Sequence, residues 1–554
     1  MATSTIRIKT DTTANWNTSD RVLEYKELAI EVRTDGTKAM KTGDGVTGWK
    51  SLPYLYDPAW VTGQVGQANA YAQQAAQQLA ACQAVLAELA DKTIRRYGVR
   101  WLGGSTAAKG TRIGDAVGMA AGVQIRETVN ENDFDDLYPW NSMRRCNGDW
   151  NTATGLFEVA CYEYGTDGVK NTNFKTDGSN GNVWVEIPLF WAKHIYDTEK
   201  EEKWISGAPG DGYYIPKKLQ RSLARGQNKT YIAAYRASED TEGNLVSVSG
   251  AIPAYGSFNT FMTKYKAMGT GISGTTSEDE EIIDLLMDVE FATRDQQSVM
   301  LGETSRYWGS DRKAQISEEN TNRIVVANAH AANFNVGDLI GVGTSADSRT
   351  VFDAREIVEI KEFNDTHTSI VFSGAPVNIT AETHCVTAFP NKTGQTDTLT
   401  APSGTVANDG LHDCRYRWIE TPYGKQLDIV MDLLINNYQT YFCNDMHGGN
   451  YSNQLTDYYI PVGYENENAY KNGYVRNMGF DERYPHIKNP VQVGNGASTT
   501  AGFAANYYSG TGLHVVWRGG HLNFGRSAGR SYSACDYAPS IANAYRGSRR
   551  SYTA

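Results

Sequence analysis

The C-terminal stretch Gly512–Arg550 holds the residues whose types and spacing point to molecular recognition. Large, mixed side chains (His521, Asn523, Phe524, Arg526, Arg530, Tyr532, Asp536, Tyr537 and Tyr545) alternate irregularly with small ones such as Ser527, Ala528, Gly529, Ser533 and Ala534. The β-branched pair Val515-Val516, flanked by Leu513 and Trp517, leads in, and Gly519-Gly520 follows. A core would carry more aliphatic side chains, and a solvated loop fewer rings. Rings give contact area at low rotamer cost, so this composition is that of a binding face. The competing reading is a set of surface strands with ordinary tyrosine content.

Catalytic patterns are weaker. Glycan cleavage needs two carboxylates facing each other across a cleft. Asp413, Asp428, Asp432 and Asp445 are candidates, but each reads equally as a solvated turn residue. No HExxH, GxSxG, P-loop or Rossmann glycine pattern occurs. The run Glu278, Asp279, Glu280, Glu281 invites a metal, yet acidic residues opening a helix account for it more simply. The 7 cysteines (Cys82, Cys146, Cys161, Cys385, Cys414, Cys443 and Cys535) form neither a zinc pattern nor a disulfide framework. The expectation is a non-enzyme with no metal and no cofactor.

A chain of 554 residues needs several domains, and its 54 Gly, 33 Tyr and 12 Trp indicate many turns and rings placed outside cores. The net charge of -11, with no long Lys/Arg block, argues against nucleic acid as partner. No signal peptide follows Met1 and no stretch is long and apolar enough for a bilayer, so synthesis in the cytosol without membrane insertion is expected.

The elements that must position the C-terminal face come in order. Residues 1–58 read as a small β module: Thr5–Lys9 and Leu28–Val32 alternate, and Thr34–Thr37 is a turn. Residues 59–97 carry the clearest helix, in which Val65, Ala68, Ala72, Ala75, Leu79, Cys82, Leu86 and Leu89 step by three and four. So narrow a seam suits a parallel coiled coil rather than a globular core, with Cys82 as a small apolar knob. The spacing does not fix the number of strands. Residues 98–317 are mixed. Val183–Trp191 reads as a strand ending at Pro188, Lys229–Tyr235 as another, and Asp279–Asp295 as an amphipathic helix with negative charge at its start. Residues 318–400 read as an all-β insertion, from Arg323–Val326, Leu339–Val342, Ile357–Ile360 and Ser369–Phe372. Residues 401–554 are ring-rich, and Gln426–Asn437 is too short to be assigned to helix or strand by period.

Several of these stretches resemble a family. KTGDGVTGW at Lys41–Trp49 with Leu52-Pro53-Tyr54 resembles the module that begins many bacteriophage tail-fibre proteins. GDAVG at Gly114–Gly118, NDFDDLYPW at Asn132–Trp140, VWVEIPLFW at Val183–Trp191 and RYRWIETPYGKQLDIVMDLLI at Arg415–Ile435 resemble the C-type-lectin-fold tail proteins of bacteriophages. The terminal WRGGHLNFGRSAG…YRGSR resembles the end of that fold in major tropism determinants and other variable proteins of diversity-generating retroelements, and of formylglycine-generating-enzyme-type domains.

The resemblance implies a mixed α/β multidomain chain. It would have a small N-terminal β module, a trimeric coiled-coil helix, and a C-type-lectin-like domain split by the all-β insertion. Trp517, Arg518, Gly519, Gly520, Gly547, Ser548 and Arg549 match framework positions, and the large residues of 521–545 match the region where the family exchanges binding residues. It implies a homotrimeric virion tail adhesin that binds a bacterial surface protein or glycan and meets other tail proteins through its N-terminal region. A structural fibre component and a capsule-degrading enzyme are the alternatives. The chain lacks the Glu-Pro-Asn and Gln-Pro-Asp motifs of calcium-dependent sugar lectins, and only Cys535 lies in the terminal stretch where formylglycine-generating enzymes need a cysteine pair.

Overall fold

The computed structural model describes residues 8–89, 94–103, 105, 107–462, 473–481, 483–494, 505–507 and 511–553; the side chains of 80–89, 473–481, 489–494 and 505–507 lie outside that description. The chain is mixed but sheet-rich and divides into two compact units, residues 1–84 and 85–554. Among the described residues, no helix is long and apolar enough to cross a membrane.

In the first unit, four strands (Lys9–Thr12, Leu28–Val32, Lys38–Thr42 and Tyr54–Tyr56) pair in chain order, the first two parallel and the others antiparallel. The first strand thus runs Lys9–Thr12, whereas Thr5–Lys9 was expected; residues 5–7 lie outside the described residues. Trp16 and Trp49 stack at 4.2 Å over Leu23, Ala29 and Leu52. The KTGDGVTGW motif has local reasons. A Cβ on Gly43 would sit 2.2 Å from the Glu24 carbonyl oxygen, and Gly45 holds φ +83°. Asp44 accepts from the Thr47 hydroxyl and from the Thr47 and Val46 amides, bonds that hold its pKa down at about 2. Buried Lys41 donates to the Trp49 carbonyl at 2.8 Å.

The long helix is Pro58–Leu89. Val65 is 54% and Leu79 60% exposed, and Ala68, Ala72 and Ala75 are exposed too. The side chains of Cys82, Leu86 and Leu89 lie outside the described residues.

In the second unit, segments before and after the insertion build common cores. One joins Tyr97, Trp140, Val185 and Leu286 to Tyr416 and Tyr423; the other joins Trp184, Tyr231 and Phe261 to Ile429, Trp517 and Tyr552. The strand Asn182–Pro188 ends at the proline and pairs antiparallel with Lys229–Ala233. The insertion carries a five-stranded antiparallel sheet, ordered Arg323–Ala327, His367–Phe372, Phe352–Asn364, Leu339–Gly343 and Cys385–Ala388, around Ile324, Ile340, Ile357 and Ile370; a one-turn helix Asn328–Ala331 and the pair Glu318–Thr321 with Val377–Ile379 add to it, so the all-β expectation is corrected to mainly β.

The core helix Ser277–Phe291 has all of its residues buried and sends its apolar side chains into the first of these cores. The amphipathic reading of Asp279–Asp295 is therefore corrected: the acids face cations and hydroxyls instead of solvent. Asp279 closes a capping box with Thr276 and pairs with buried Lys218 at 2.5 Å; Glu278 pairs with Arg221, Asp288 with Lys203, and Glu290 with Arg417. A buried carboxylate without such a partner would cost several kcal/mol, on the order of 3–5.

The C-terminal sheet has the spatial order Tyr459–Pro461, Gln439–Cys443, Leu427–Asn436, Leu513–Gly519, Gly529–Tyr537, Ala505–Tyr507, Gly473–Asp481 and Tyr484–Gly494. Arg546–Gly547 adds to Leu427–Asp428 in parallel. The undecided run Gln426–Asn437 thus holds the strand Leu427–Asn436.

Candidate recognition surface

The positions that the resemblance assigns to a framework are buried and structural. Trp517 lies opposite Ile429 on one side and Ala534 on the other. Arg518 donates to the Ser533 hydroxyl and to the Lys488 carbonyl. The chain then turns sharply: Gly519 and Gly520 have φ +88° and +76°, and a Cβ on Gly520 would lie 2.7 Å from the Ala528 Cα. At the far end a Cβ on Gly547 would meet Gln426 Oε1 at 2.3 Å, and Ser548 shares a hydrogen bond with the Tyr265 hydroxyl. Arg549 donates to the carbonyls of Ala233, Glu420 and Thr421.

The nine-residue binding set divides on burial. Three members are interior. Arg530 Nε donates to Asp284 Oδ1 at 2.8 Å, and its guanidinium also reaches Glu280 at 2.9 Å and the Pro422 carbonyl at 2.9 Å. Tyr532 is 2% exposed and packs in the second core, its ring 4.9 Å from Phe524. His521 is 5% exposed, with ring centroids 3.7 Å from Phe524 and 4.2 Å from Tyr545. Burial, reinforced by the Arg546 charge, pushes its imidazole down to about 3, so it is neutral at physiological pH.

The remaining members reach the surface. Phe524, Asp536, Tyr537 and Tyr545 are half-buried; Asn523 and Arg526 are exposed. Arg546 lies 4.0 Å from the Tyr537 ring centroid and 5.2 Å from that of Tyr545, beneath both. Arg526 turns toward Asp295, at 2.7 Å. The face is a stack of rings on a buried guanidinium, which offers flat area already ordered before a partner arrives.

The insertion borders this face, which the sequence reading did not foresee. Trp308 meets Tyr545 edge-on at 5.1 Å, and its carbonyl accepts from Asn523 Nδ2 at 3.0 Å. Asp347 accepts from Asn543, and Arg349 lies 5.4 Å from the Trp308 ring. Leu522 is inserted among the insertion's own core residues. Of these, Trp308 was the legible signal: it follows Tyr307 in a ring pair beside Gly309 ahead of the insertion.

The candidate carboxylates lie elsewhere. Asp413 pairs with Lys425 and accepts from Thr421 in the interior; Asp428 pairs with Arg236 at 2.8 Å. Asp432 accepts from the Ser277 amide and hydroxyl, and burial raises it to about 7. Asp445 accepts from the Gly448 amide and Asn450 within a turn. Among the described residues no group of His, Cys, Asp and Glu is arranged to hold a metal ion, and Cys146, Cys161, Cys385, Cys414, Cys443 and Cys535 are free thiols.

No protein-family model matches this chain, and no curated protein is detectably similar to it.

Proposed function

We propose that this protein is a phage tail-fibre or tail-tip adhesin that binds a bacterial surface receptor through the C-terminal ring-bearing face, on a C-type-lectin-like domain. The observation that carries this reading is the pairing of half-buried rings and exposed polar side chains with a buried base. Tyr537, Tyr545, Phe524, Asn523 and Arg526 reach the surface, while Trp517, Arg518, Arg530 and Arg549 are buried, the three arginines bonded to distant segments. Such a base tolerates exchange of surface residues without loss of fold, as a receptor-tracking adhesin requires. His521 and Tyr532 belong to the base and set the positions of Phe524 and Tyr545.

Three copies joined along Pro58–Leu89 would raise avidity over a single weak contact. The exposed seam of that helix supports self-association. A lone helix of 32 residues, about 48 Å long at 1.5 Å per residue, gains little stability unless its apolar stripe is covered. The alanines permit close approach but bury little area, so each copy's seam contributes modestly.

The test is adsorption of the purified protein to host cells. Tyr537→Ala combined with Arg526→Ala should reduce cell binding at least tenfold while the protein still unfolds cooperatively above the assay temperature and keeps the oligomer mass of the parent. Undiminished binding by this folded variant would overturn the assignment of the face.

A further inference from the structure

A lysine and two carboxyl groups meet in the interior, from segments on either side of the insertion. The side chains of Lys425, Asp413 and Glu303 are 0% exposed; Lys425 Nζ contacts Asp413 Oδ2 and lies 3.8 Å from Glu303 Oε2. Both of these oxygens are buried without a hydrogen-bond partner. The other oxygen of each acid is occupied. Asp413 Oδ1 accepts from the Thr421 hydroxyl at 2.9 Å, and Glu303 Oε1 accepts from Arg306 at 2.9 Å and from the Asn391 amide at 3.2 Å. The amine itself donates to the Lys392 carbonyl at 3.2 Å. A structural ion pair at this depth gains from aligned hydrogen bonds, because an unsatisfied interior oxygen is costly. Here the amine touches the Asp413 carboxyl group out of hydrogen-bond alignment, a placement suited to forming a covalent bond.

The backbone is constrained at the same place. Arg417, Trp418, Thr421 and Lys425 hold left-handed φ values of +44°, +72°, +52° and +56°. Such conformations persist where the surroundings over-determine them, and they gather at functional sites. The Lys425 amide donates to the Glu303 carbonyl at 2.7 Å and its carbonyl accepts from the Leu522 amide at 3.2 Å, so the lysine is fixed on both sides of its Cα.

We propose that Lys425 and Asp413 join in an intramolecular isopeptide bond, with Glu303 as the proton relay. Nζ attacks Cγ, the Cγ–Oδ2 bond breaks, and Oδ2 departs as water with two of the three ammonium protons. The two charges cancel, and no oxidant, reductant or further reagent is required. Glu303 accepts the first proton on Oε2, which frees the lone pair of Nζ, and passes it to the departing oxygen. The Thr421 hydroxyl stabilises the charge that develops on Oδ1. Burial raises the Asp413 carboxyl and so favours its neutral, electrophilic form. At Lys425 burial is outweighed by the charges of Asp413, Glu303 and Glu420, which hold its pKa up, so the reaction starts from the ion pair. The product is a neutral amide in place of two interior charges. It closes a short loop next to Gly519, whose carbonyl accepts from the Gly424 amide at 3.1 Å, and restrains the unfolded chain as a disulfide does. The bond involves no receptor-facing residue and stands or falls apart from the adhesive reading.

The experiment is the intact mass of the full chain, denatured and reduced, followed by tryptic mapping. The parent should weigh one water less than its sequence. Trypsin, which cuts after Arg415 and Arg417, should leave the segments holding Asp413 and Lys425 joined, with Lys425 uncut. Lys425→Arg and Asp413→Ala should each show the full sequence mass, and Glu303→Gln should be joined at least tenfold more slowly than the parent. A parent of full mass, or one that loses water without joining the two segments, would overturn the bond, and that result requires no variant to fold. Undiminished joining in Glu303→Gln would overturn the relay.

Discussion

Arg530 and Asp284 form an ion pair at 2.8 Å in which both side chains are buried, and it fastens the C-terminal strand Gly529–Tyr537 to the core helix. Lys488, from the strand Tyr484–Gly494, meets the same carboxylate. One acid thus joins three segments that are more than 200 residues apart in part, and Arg530 belongs to the buried frame of the C-terminal sheet and not to its surface.

Removing the arginine leaves Glu280 and Asp284 short of charge in the interior. Arg530→Ala should cost about 3–5 kcal/mol, the usual range for breaking a buried pair. Arg530→Lys should recover part of that, since a lysine keeps the charge and loses the forked geometry. Denaturant midpoints of the two variants check the order; equal midpoints for Arg530→Ala and the parent would contradict it.

Asp432 gives the fold a pH dependence of known sign. Its folded pKa is raised by burial to about 7 from an ordinary 3.8, so the folded state holds a proton that the unfolded chain has released. That contribution is fully present below pH ~4, declines as pH rises, and is gone above pH ~7. Three pKa units correspond to about 4 kcal/mol. Asp432→Asn removes this slope, so its thermal midpoint relative to the parent should rise between pH 5 and pH 8. A constant difference across that range would count against a protonated Asp432.

The turn before the binding residues depends on glycine. Gly520→Ala combines a positive φ with a Cβ 2.7 Å from the Ala528 Cα, a backbone atom that cannot step aside cheaply. A loss of about 2 kcal/mol or more is expected. Gly118→Ala, at φ +83° with open space around its Cβ, isolates the conformational part and should cost less. Comparison of the two melting midpoints tests the contact.

The exposed seam gives a prediction about mass. Leu79→Asp should convert the associated species to single chains in light scattering at micromolar concentration, with no change in the melting of the second unit. A parent protein that already scatters as one chain would end the coiled-coil reading.

How much could be read beforehand varied with the local physics. Strands bounded by breakers, such as Asn182–Pro188 and those of the insertion, were legible because proline, glycine and β-branched runs act over a few residues. Leu427–Asn436 was not. Leu427, Ile429 and Met431 face one core and Val430 another, but a register irregularity between Val430 and Leu434 then swaps the alternation, so Leu434 joins the first core and Leu433 and Ile435 the second. The period of two breaks within ten residues, and apolar residues on both faces hide it.

Sequence alone determined the strands bounded by breakers, the glycine-dependent turn at Gly43–Gly45, and the concentration of rings toward the C-terminus, because each follows from local sterics or composition; that Gly519–Gly520 forms a turn came from the fold. Sequence also placed the acidic run at a helix start. Only the tertiary structure decided which polar residues are inside: the same pattern of Glu and Asp that reads as a solvated helix end is buried here, because Lys218, Arg221, Lys203, Arg417 and Arg530 arrive from distant segments to neutralise it. Burial of a charge depends on partners that no local window contains. For that reason the binding set split into a frame and a face only once the chain was folded.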